Sequence, residues 1–333
     1  MNLVAFAALV VLLNLISLIQ MHGRLREKTL IVRKSTYHYV HDAFRYNNYS
    51  TNRFVSNDTG FIPIHYELRQ NMLWKNHSLC KNDSFLLMMI FTYRTDKRRR
   101  NLIRQYIKQD MIVNGKRVNY VFIVAAEKED MKGEDEFADN DDIMVSLHRD
   151  TRANWTITIL DSFLWVRDYC QSVKYVAKVD GDTWVNVWNL VHYLEKVPRE
   201  KFYGGKVIHC KLNKGQRYKA LLFYPRDYPE RYVTFCLGGC SLFSMDVVPY
   251  INIGASYLDV LFPAVEDIVL GEILHRAGIN PYTVASSPYI LYSEVFEWKQ
   301  GIPNNTIAVH NIKDLALLTE VYKNHSVIQF SRG

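Results

Sequence analysis

Cysteine is scarce in this chain of 333 residues: Cys80, Cys170, Cys210, Cys236 and Cys240 are its five, and no CxxC pair occurs. A structural zinc site needs two such pairs or a matching histidine spacing, and the one close pair, Cys236 and Cys240, has neither. The odd count leaves one or two disulfides and a free thiol, with a connectivity that spacing does not give. Runs of one charge are also scarce. Only Lys97 to Arg100 is contiguous and the other basic residues are scattered, so the net charge of +7 reads as solvated faces, and no nucleic-acid partner is expected. Internal repeats are absent. With 48% hydrophobic and 23% charged residues the chain is neither disordered nor too small to bury a large core.

What is present begins at the N-terminus. No charged residue occurs from Leu3 to Met21, and Leu3 to Leu13 is apolar throughout. Roughly 20 such residues in a helix cross the hydrocarbon core. No small-x-small cleavage site follows, so a retained transmembrane signal anchor over residues 1–21 is expected rather than a cleaved signal peptide. Arg24, Arg26 and Lys28 follow the span, which by the positive-inside rule would leave the remaining chain in the cytosol. Against that stand seven N-glycosylation sequons, at Asn48, Asn57, Asn76, Asn82, Asn154, Asn304 and Asn324. They outweigh the charge bias, and the bulk of the chain is expected in the lumen.

Residues 22–79 are polar and weakly periodic, as in a luminal stem, and the character changes at Cys80, where a domain over residues 80–333 is expected to begin. Phe85 to Phe91 and Tyr120 to Ala126 are continuous apolar runs of the kind found in strands buried on both faces. Lys97 to Gln109 between them reads as a helix, giving a strand, helix, strand unit. An acidic loop is expected over Asp135 to Asp142, a helix from about Asn154 to Cys170, and a third strand from Val173 to Val179.

That third strand runs into Asp180-Gly181-Asp182, at the carboxyl end where ligands bind in open α/β sheets. Residues two apart in an extended chain share a side, so both carboxylates can face one hard divalent cation. The same tripeptide is also common in solvated turns. Glu266-Asp267 opens a helical pattern carried by Leu270, Ile273, Leu274 and Ala277. These two acids are either dipole-favoured capping residues or the seat of a general base. Gly238-Gly239, in a strand-like stretch, marks either a bulge or a close approach by a ligand or another backbone.

Taken in order, these pieces resemble the beta-1,3-galactosyltransferase family, glycosyltransferase family 31, from about Cys80 onward. Lys178 to Asn186 is similar to the K-x-D-x-D-x-x-V-N segment, and Asn154-Trp155-Thr156 with Trp165 and Cys170 to the N-L-T, W, C stretch. Arg100, Ile103 and Arg104 match R-x-x-I-R-x-T-W, with Tyr106 and Ile107 replacing Thr and Trp. Cys236-Leu237-Gly238-Gly239, behind Tyr224-Pro225 and Tyr228-Pro229, resembles Y-P-x-Y-C-S-G-G with Leu237 in place of Ser. Val265 to Gly271 resembles the E-D-V-x-x-G motif, and His310 lies where the family places a metal-binding histidine.

The resemblance implies a GT-A fold, Rossmann-like α/β with a central mixed sheet, and an inverting transferase using a UDP-sugar with Mn²⁺ or Mg²⁺. Asp182 and His310 would hold the metal, Asp180 would lie beside the nucleotide, and Asp267 would be the general base. Arg104 would support the diphosphate, or else form a structural ion pair. The implied reaction moves a hexose or N-acetylhexosamine, galactose first among them, to a hydroxyl of a glycan on a glycoprotein or glycolipid in beta-1,3 linkage. With the anchor, that places the chain in the Golgi membrane as a single-pass type II protein. Two other classes are weighed: a non-catalytic glycan-binding or chaperone-like relative, against which Asp182, Asp267 and His310 count, and a phosphoesterase, which would need ligands for two close metals.

Overall fold

The computed structural model describes residues 72–73, 79–80, 83–126, 136, 139–150, 152–212, 231–255, 265–282, 289–291 and 301–330. The expected anchor and nearly all of the expected stem lie outside them, as do Tyr224-Pro225 and Tyr228-Pro229. Among the described residues no helix is long and apolar enough to cross a membrane.

The first half of the domain comprises β1 (Met72–Leu73), β2 (Ser84–Phe91), α1 (Lys97–Tyr106), β3 (Met111–Val113), β4 (Lys116–Ala126), β5 (Ile143–Arg149), α2 (Arg152–Tyr169) and β6 (Tyr175–Asp180). There follow β7 (Trp184–Val185), α3 (Val187–Leu194), β8 (Tyr203–Gly204), β9 (Val207–Leu212), β10 (Arg231–Cys236), β11 (Cys240–Ser244) and α4 (Val248–Ala255). The last elements are α5 (Glu266–Arg276), β12 (Tyr289–Leu291), β13 (Ala308–His310) and α6 (Leu315–Phe330).

A mixed sheet in the order β1-β5-β4-β2-β6-β11-β8, with β3 beside β4, forms the centre of an α/β domain. The pairs β5–β4, β4–β2 and β2–β6 are parallel, whereas β1, β3, β11 and β8 pair antiparallel. Every residue of β2 is buried, which is why its apolar run shows no alternation. On one face Leu86, Met88 and Ile90 meet Leu102 and Ile103 of α1, Leu190 of α3 and Leu318 of α6 in a single core. Elsewhere α2, α4 and α5 pack on one another, and α2 packs on β5.

Two features extend the reading from sequence. Met72–Leu73, inside the stretch expected as stem, pairs with Val145 and Ser146 at the sheet edge, so the sheet takes in chain before Cys80. A strand of two residues carries no periodicity from which it could be read. Cys80 and Cys170 form a disulfide, Cα atoms 5.1 Å apart, tying the entry to β2 to the end of α2 across 90 positions. Closing a loop of that length constrains the unfolded chain by on the order of 4 kcal/mol.

The sheet positions the acidic tripeptide. Phe91 lies opposite Asp180 in the parallel β2–β6 pair. Gly181 N–H donates to the Phe91 carbonyl at 2.8 Å and Asp180 N–H to the Gly239 carbonyl at 3.1 Å. Two smaller sheets frame this edge, the β9–β10 hairpin and the strands β12-β13-β7.

Candidate active site

Asp180 closes β6 and Asp182 follows it, while His310, 128 positions later by residue number, closes β13. What joins them is the antiparallel β13–β7 pair, with Val309 opposite Trp184, and the Ile312 N–H donating to the Asp182 carbonyl at 2.9 Å. The His310 Nε2 consequently stands 3.4 Å from an oxygen of Asp180 and 3.4 Å from one of Asp182. One donor atom from each of the three lies within 4.8 Å of the others, and all three side chains are half-buried. Two carboxylates and an imidazole on a partly open rim fit a divalent cation that keeps places for water and phosphate oxygens. Among the described residues this is the one such cluster. Burial opposes a charged His310, but hydrogen bonds and charge from Asp180 and Asp182 outweigh it and raise its pKa to about 9. Ligation needs that lone pair, so cation binding would release a proton.

Lys178 stands behind the pair. In a strand it shares a side with Asp180, two residues on, and its buried Nζ donates to Asp180 at 2.8 Å and to the Gly238 carbonyl at 2.9 Å. It also stands 3.5 Å from Glu266 and 3.8 Å from Asp267. Burial works against its charge, yet the three facing carboxylates, Asp180 first, override this and raise its pKa. In return Lys178, with His310, holds Asp180 below the ordinary carboxylate range in spite of burial.

Asp267 lies in the first turn of α5, where Val265 is the N-cap and offers no side-chain cap. Its carboxylate does not serve its own helix. One oxygen accepts the Gly238 N–H at 2.8 Å, and the other is buried without a hydrogen-bond partner. Burial and the Glu266 charge push Asp267 up to about 7, Asp180 adding to the rise, while Lys178 and the Gly238 N–H oppose it.

The glycine pair is a close approach rather than a loose bulge. A Cβ on Gly238 would overlap the Asp267 carboxylate and the Lys178 ammonium, and one on Gly239 would overlap the His310 ring. The glycine backbone and the Lys178 ammonium thus stand between the carboxylate of Asp267 and the Asp180–Asp182–His310 trio.

Arg104 is not brought into this cluster by any contact. It donates to Asp142 twice, at 2.8 and 2.7 Å, to Glu136 at 2.9 Å and to Asn101 at 2.8 Å, with Phe122 under its guanidinium. Burial opposes its charge, but the bonds to Asp142 and Glu136 prevail and raise its pKa. Its neighbour Arg100, fully buried, spends all five N–H groups on Glu136, Thr92 and the carbonyls of Tyr93 and Arg94. Glu136 is therefore a shared anchor, and sequence reasoning placed it only in an acidic loop. Lys178 was equally missed as a working residue, although its spacing of two from Asp180 in a strand was a usable signal.

Comparison with known proteins identifies the family. The family model described as Galactosyltransferase matches residues 97–285, more than half of the chain. Beta-1,3-galactosyltransferase 1 of Mus musculus and of Homo sapiens is each 30% identical over 210 residues, covering 61% of this chain and 63% of the relative. A lactosylceramide 1,3-N-acetyl-beta-D-glucosaminyltransferase of Xenopus tropicalis is 28% identical, covering 63% of this chain and 59% of the relative. The chain thus spans less than two thirds of the length of these relatives. Among solved structures, a glycosyltransferase involved in the glycosylation of the major capsid of PBCV-1 overlaps 72% of this chain and 99% of its own, at 12% identity and a TM-score of 0.38.

Proposed function

From the premise that the chain belongs to the galactosyltransferase family, we propose that it transfers a hexose or N-acetylhexosamine, with galactose first, from a UDP-sugar to a glycan hydroxyl in beta-1,3 linkage, with inversion. The observation that carries this is the Asp267 carboxylate, which is buried, held by one oxygen and without a hydrogen bond at the other, beside a cation-competent trio. The relatives with known names act with 1,3 linkages on galactosyl or N-acetylglucosaminyl transfer, which supports the linkage and leaves the sugar open.

The division of labour follows from the residues. Asp182 and His310 would hold Mn²⁺ or Mg²⁺, and the imidazole nitrogen favours Mn²⁺ over the strictly oxygen-seeking Mg²⁺. When bound, the cation supplies charge neutralisation for the departing diphosphate. Asp180, fixed by Lys178, lines the nucleotide side of the trio. The Gly238 N–H fixes one oxygen of Asp267 so that the free oxygen, Oδ1, takes the proton of the incoming acceptor hydroxyl. A carboxylate titrating near 7 is matched to that task at neutral pH. Arg104, bonded to Asp142 and Glu136, shapes the wall behind the site in this reading rather than gripping the diphosphate.

The disulfide between Cys80 and Cys170 supports an oxidising compartment, and Asn304 and Asn324 of the sequon set are exposed. Both features fit the proposed setting, a single-pass type II protein of the Golgi membrane with its folded domain in the lumen.

Asp267→Asn tests the proposal. The shape is retained and the acceptor oxygen for Gly238 remains, yet the proton cannot be taken. Transfer is expected to fall by roughly 10²-fold or more while UDP-sugar affinity holds, with Glu266→Gln far milder. A fully active Asp267→Asn protein would remove the base. A wild type with no transfer in a broad acceptor panel would favour a glycan-binding protein instead.

A further inference from the structure

The chain runs from Asp182 through β7 to Asn186, the N-cap of α3, and there a cavity of about 330 Å³ opens. That volume is at the lower end of the roughly 300–1,000 Å³ typical of ligand pockets. None of its lining residues belongs to the trio or touches Asp267. Among the described residues that line it there is no Asp, Glu, Lys or Arg; two tryptophans, four asparagines and two histidines make most of the wall. One of the histidines, His325, stands edge-on to Trp184 at 5.7 Å, and burial lowers its pKa, which keeps it neutral. The indole N–H groups of Trp184 and Trp188 are buried and find no acceptor among the described residues.

This chemistry selects its ligand by exclusion and by fit. An uncharged wall gives a diphosphate, a carboxylate or a metal ion nothing to neutralise it. Trp188, half-buried, offers an indole face, whereas Trp184 is almost fully buried; Asn189 spends both amide N–H groups on the Asn304 and Thr306 carbonyls and Asn186 caps α3 with its oxygen, which leaves the amides of Asn114 and Asn304 and the oxygen of Asn189 as the groups a ligand can use. A pyranose has the matching surface, with C–H faces to lie on a ring and hydroxyls to exchange with amides. Asn304, on the rim, and Asn324, adjacent to His325, are both exposed sequon positions. We propose that this cavity binds a neutral saccharide unit, independently of the donor and cation site. The unit belongs either to the chain's own N-glycan or to a free oligosaccharide.

The test uses the detergent-purified full chain in EDTA, without nucleotide. It is titrated with lactose, N-acetyllactosamine and diacetylchitobiose, read by tryptophan fluorescence and saturation-transfer NMR, with UDP as competitor. At least one neutral sugar should bind saturably in the millimolar range and resist displacement by UDP. Trp188→Ala should weaken it at least tenfold. Asn114→Asp, which places a charge on the rim at a left-handed turn position that Asp tolerates, should weaken it at least threefold without risk to folding. Binding that strengthens when the two sequons are removed by Thr306→Val and Ser326→Ala, which leave Asn304 and Asn324 as amides, identifies the chain's own glycan as occupant; unchanged binding identifies a free oligosaccharide. No saturable response with or without those sequons, displacement by UDP, or indifference to both Trp188→Ala and Asn114→Asp would overturn the site. Since neither donor nor cation is present, these outcomes are independent of whether Asp267 acts as a base.

Discussion

Two charged clusters lie near the central sheet, and they are built on opposite principles. In the first, Arg100 and Arg104 face Glu136 and Asp142, so charge balances, and nine hydrogen bonds occupy nine of the ten N–H groups of the two guanidiniums. In the second, four carboxylates, Asp180, Asp182, Glu266 and Asp267, share Lys178 and His310, and one Asp267 oxygen stays unbonded. A balanced, satisfied network holds a fold in place. Excess acid with an orphan oxygen is costly to bury, and in the proposed reaction it would receive a cation and a proton. Both clusters contain residues that match family motifs, so motif membership does not separate scaffold from chemistry, whereas satisfaction of hydrogen bonds does.

The contrast can be broken most forcefully at Arg100. Arg100→Met leaves the buried Glu136 with Arg104 as its one cationic partner and should cost on the order of 3–5 kcal/mol, read as a lower midpoint in urea or heat. The added change Glu136→Gln should recover part of it. An unchanged midpoint with lost UDP-sugar affinity would place Arg100 in the site instead.

The acidic cluster should respond with the opposite sign. Asp267 titrates near 7 in the folded chain and near 4 when unfolded, so its protonated form favours the fold, and the wild type loses stability as pH rises toward and through 7. Asp267→Asn removes that loss. At pH 8, with chelator present, it should melt at or above the wild type, by on the order of a few kcal/mol at most. The advantage should shrink as pH falls from 7 toward 4. Transfer by the wild type should run the other way with acid, dropping about tenfold per unit below pH 7 as the base is protonated. A flat rate from pH 5 to 8 would contradict both readings of Asp267.

The smallest effect sharpens the boundary between the clusters. Arg104→Gln keeps one hydrogen-bonding arm and should lower stability by about 1–2 kcal/mol, with KM for the UDP-sugar unchanged. A KM raised tenfold at intact stability would return Arg104 to the diphosphate.

Much of the scaffold was legible in the sequence because burial on both faces leaves a plain mark. The runs at β2 and β4 are apolar throughout, and the helices at α1, α2 and α5 keep the expected places, with α1 ending at Tyr106 rather than Gln109. The edge strand β1 and its neighbour β5 were not legible. Met72–Leu73 is too short for a pattern, and β5 mixes Ser146 and His148 into an apolar frame. Within the site, the order of Asp180, Asp182, Asp267 and His310 along the chain was readable through their motifs, but not their roles. Glu266-Asp267 was equally a capping pair, and Gly238-Gly239 equally a bulge.

By itself the sequence determined the α/β class, the strand that ends in Asp180-Gly181-Asp182, and the family, since these depend on local periodicity and ordered short motifs. Only the tertiary structure decided what each carboxylate faces. Asp267 turns from its own helix to Gly238 because the turn between β10 and β11 meets α5 there with no side chain of its own in the way. His310 reaches the aspartates because β13 pairs with β7. Arg104 is taken up by Glu136 and Asp142, residues 32 and 38 positions away. Hydrogen bonds and charges act over a few ångströms, and which groups come that close is fixed by long-range strand pairing, which leaves no trace in the spacing of residues along the chain.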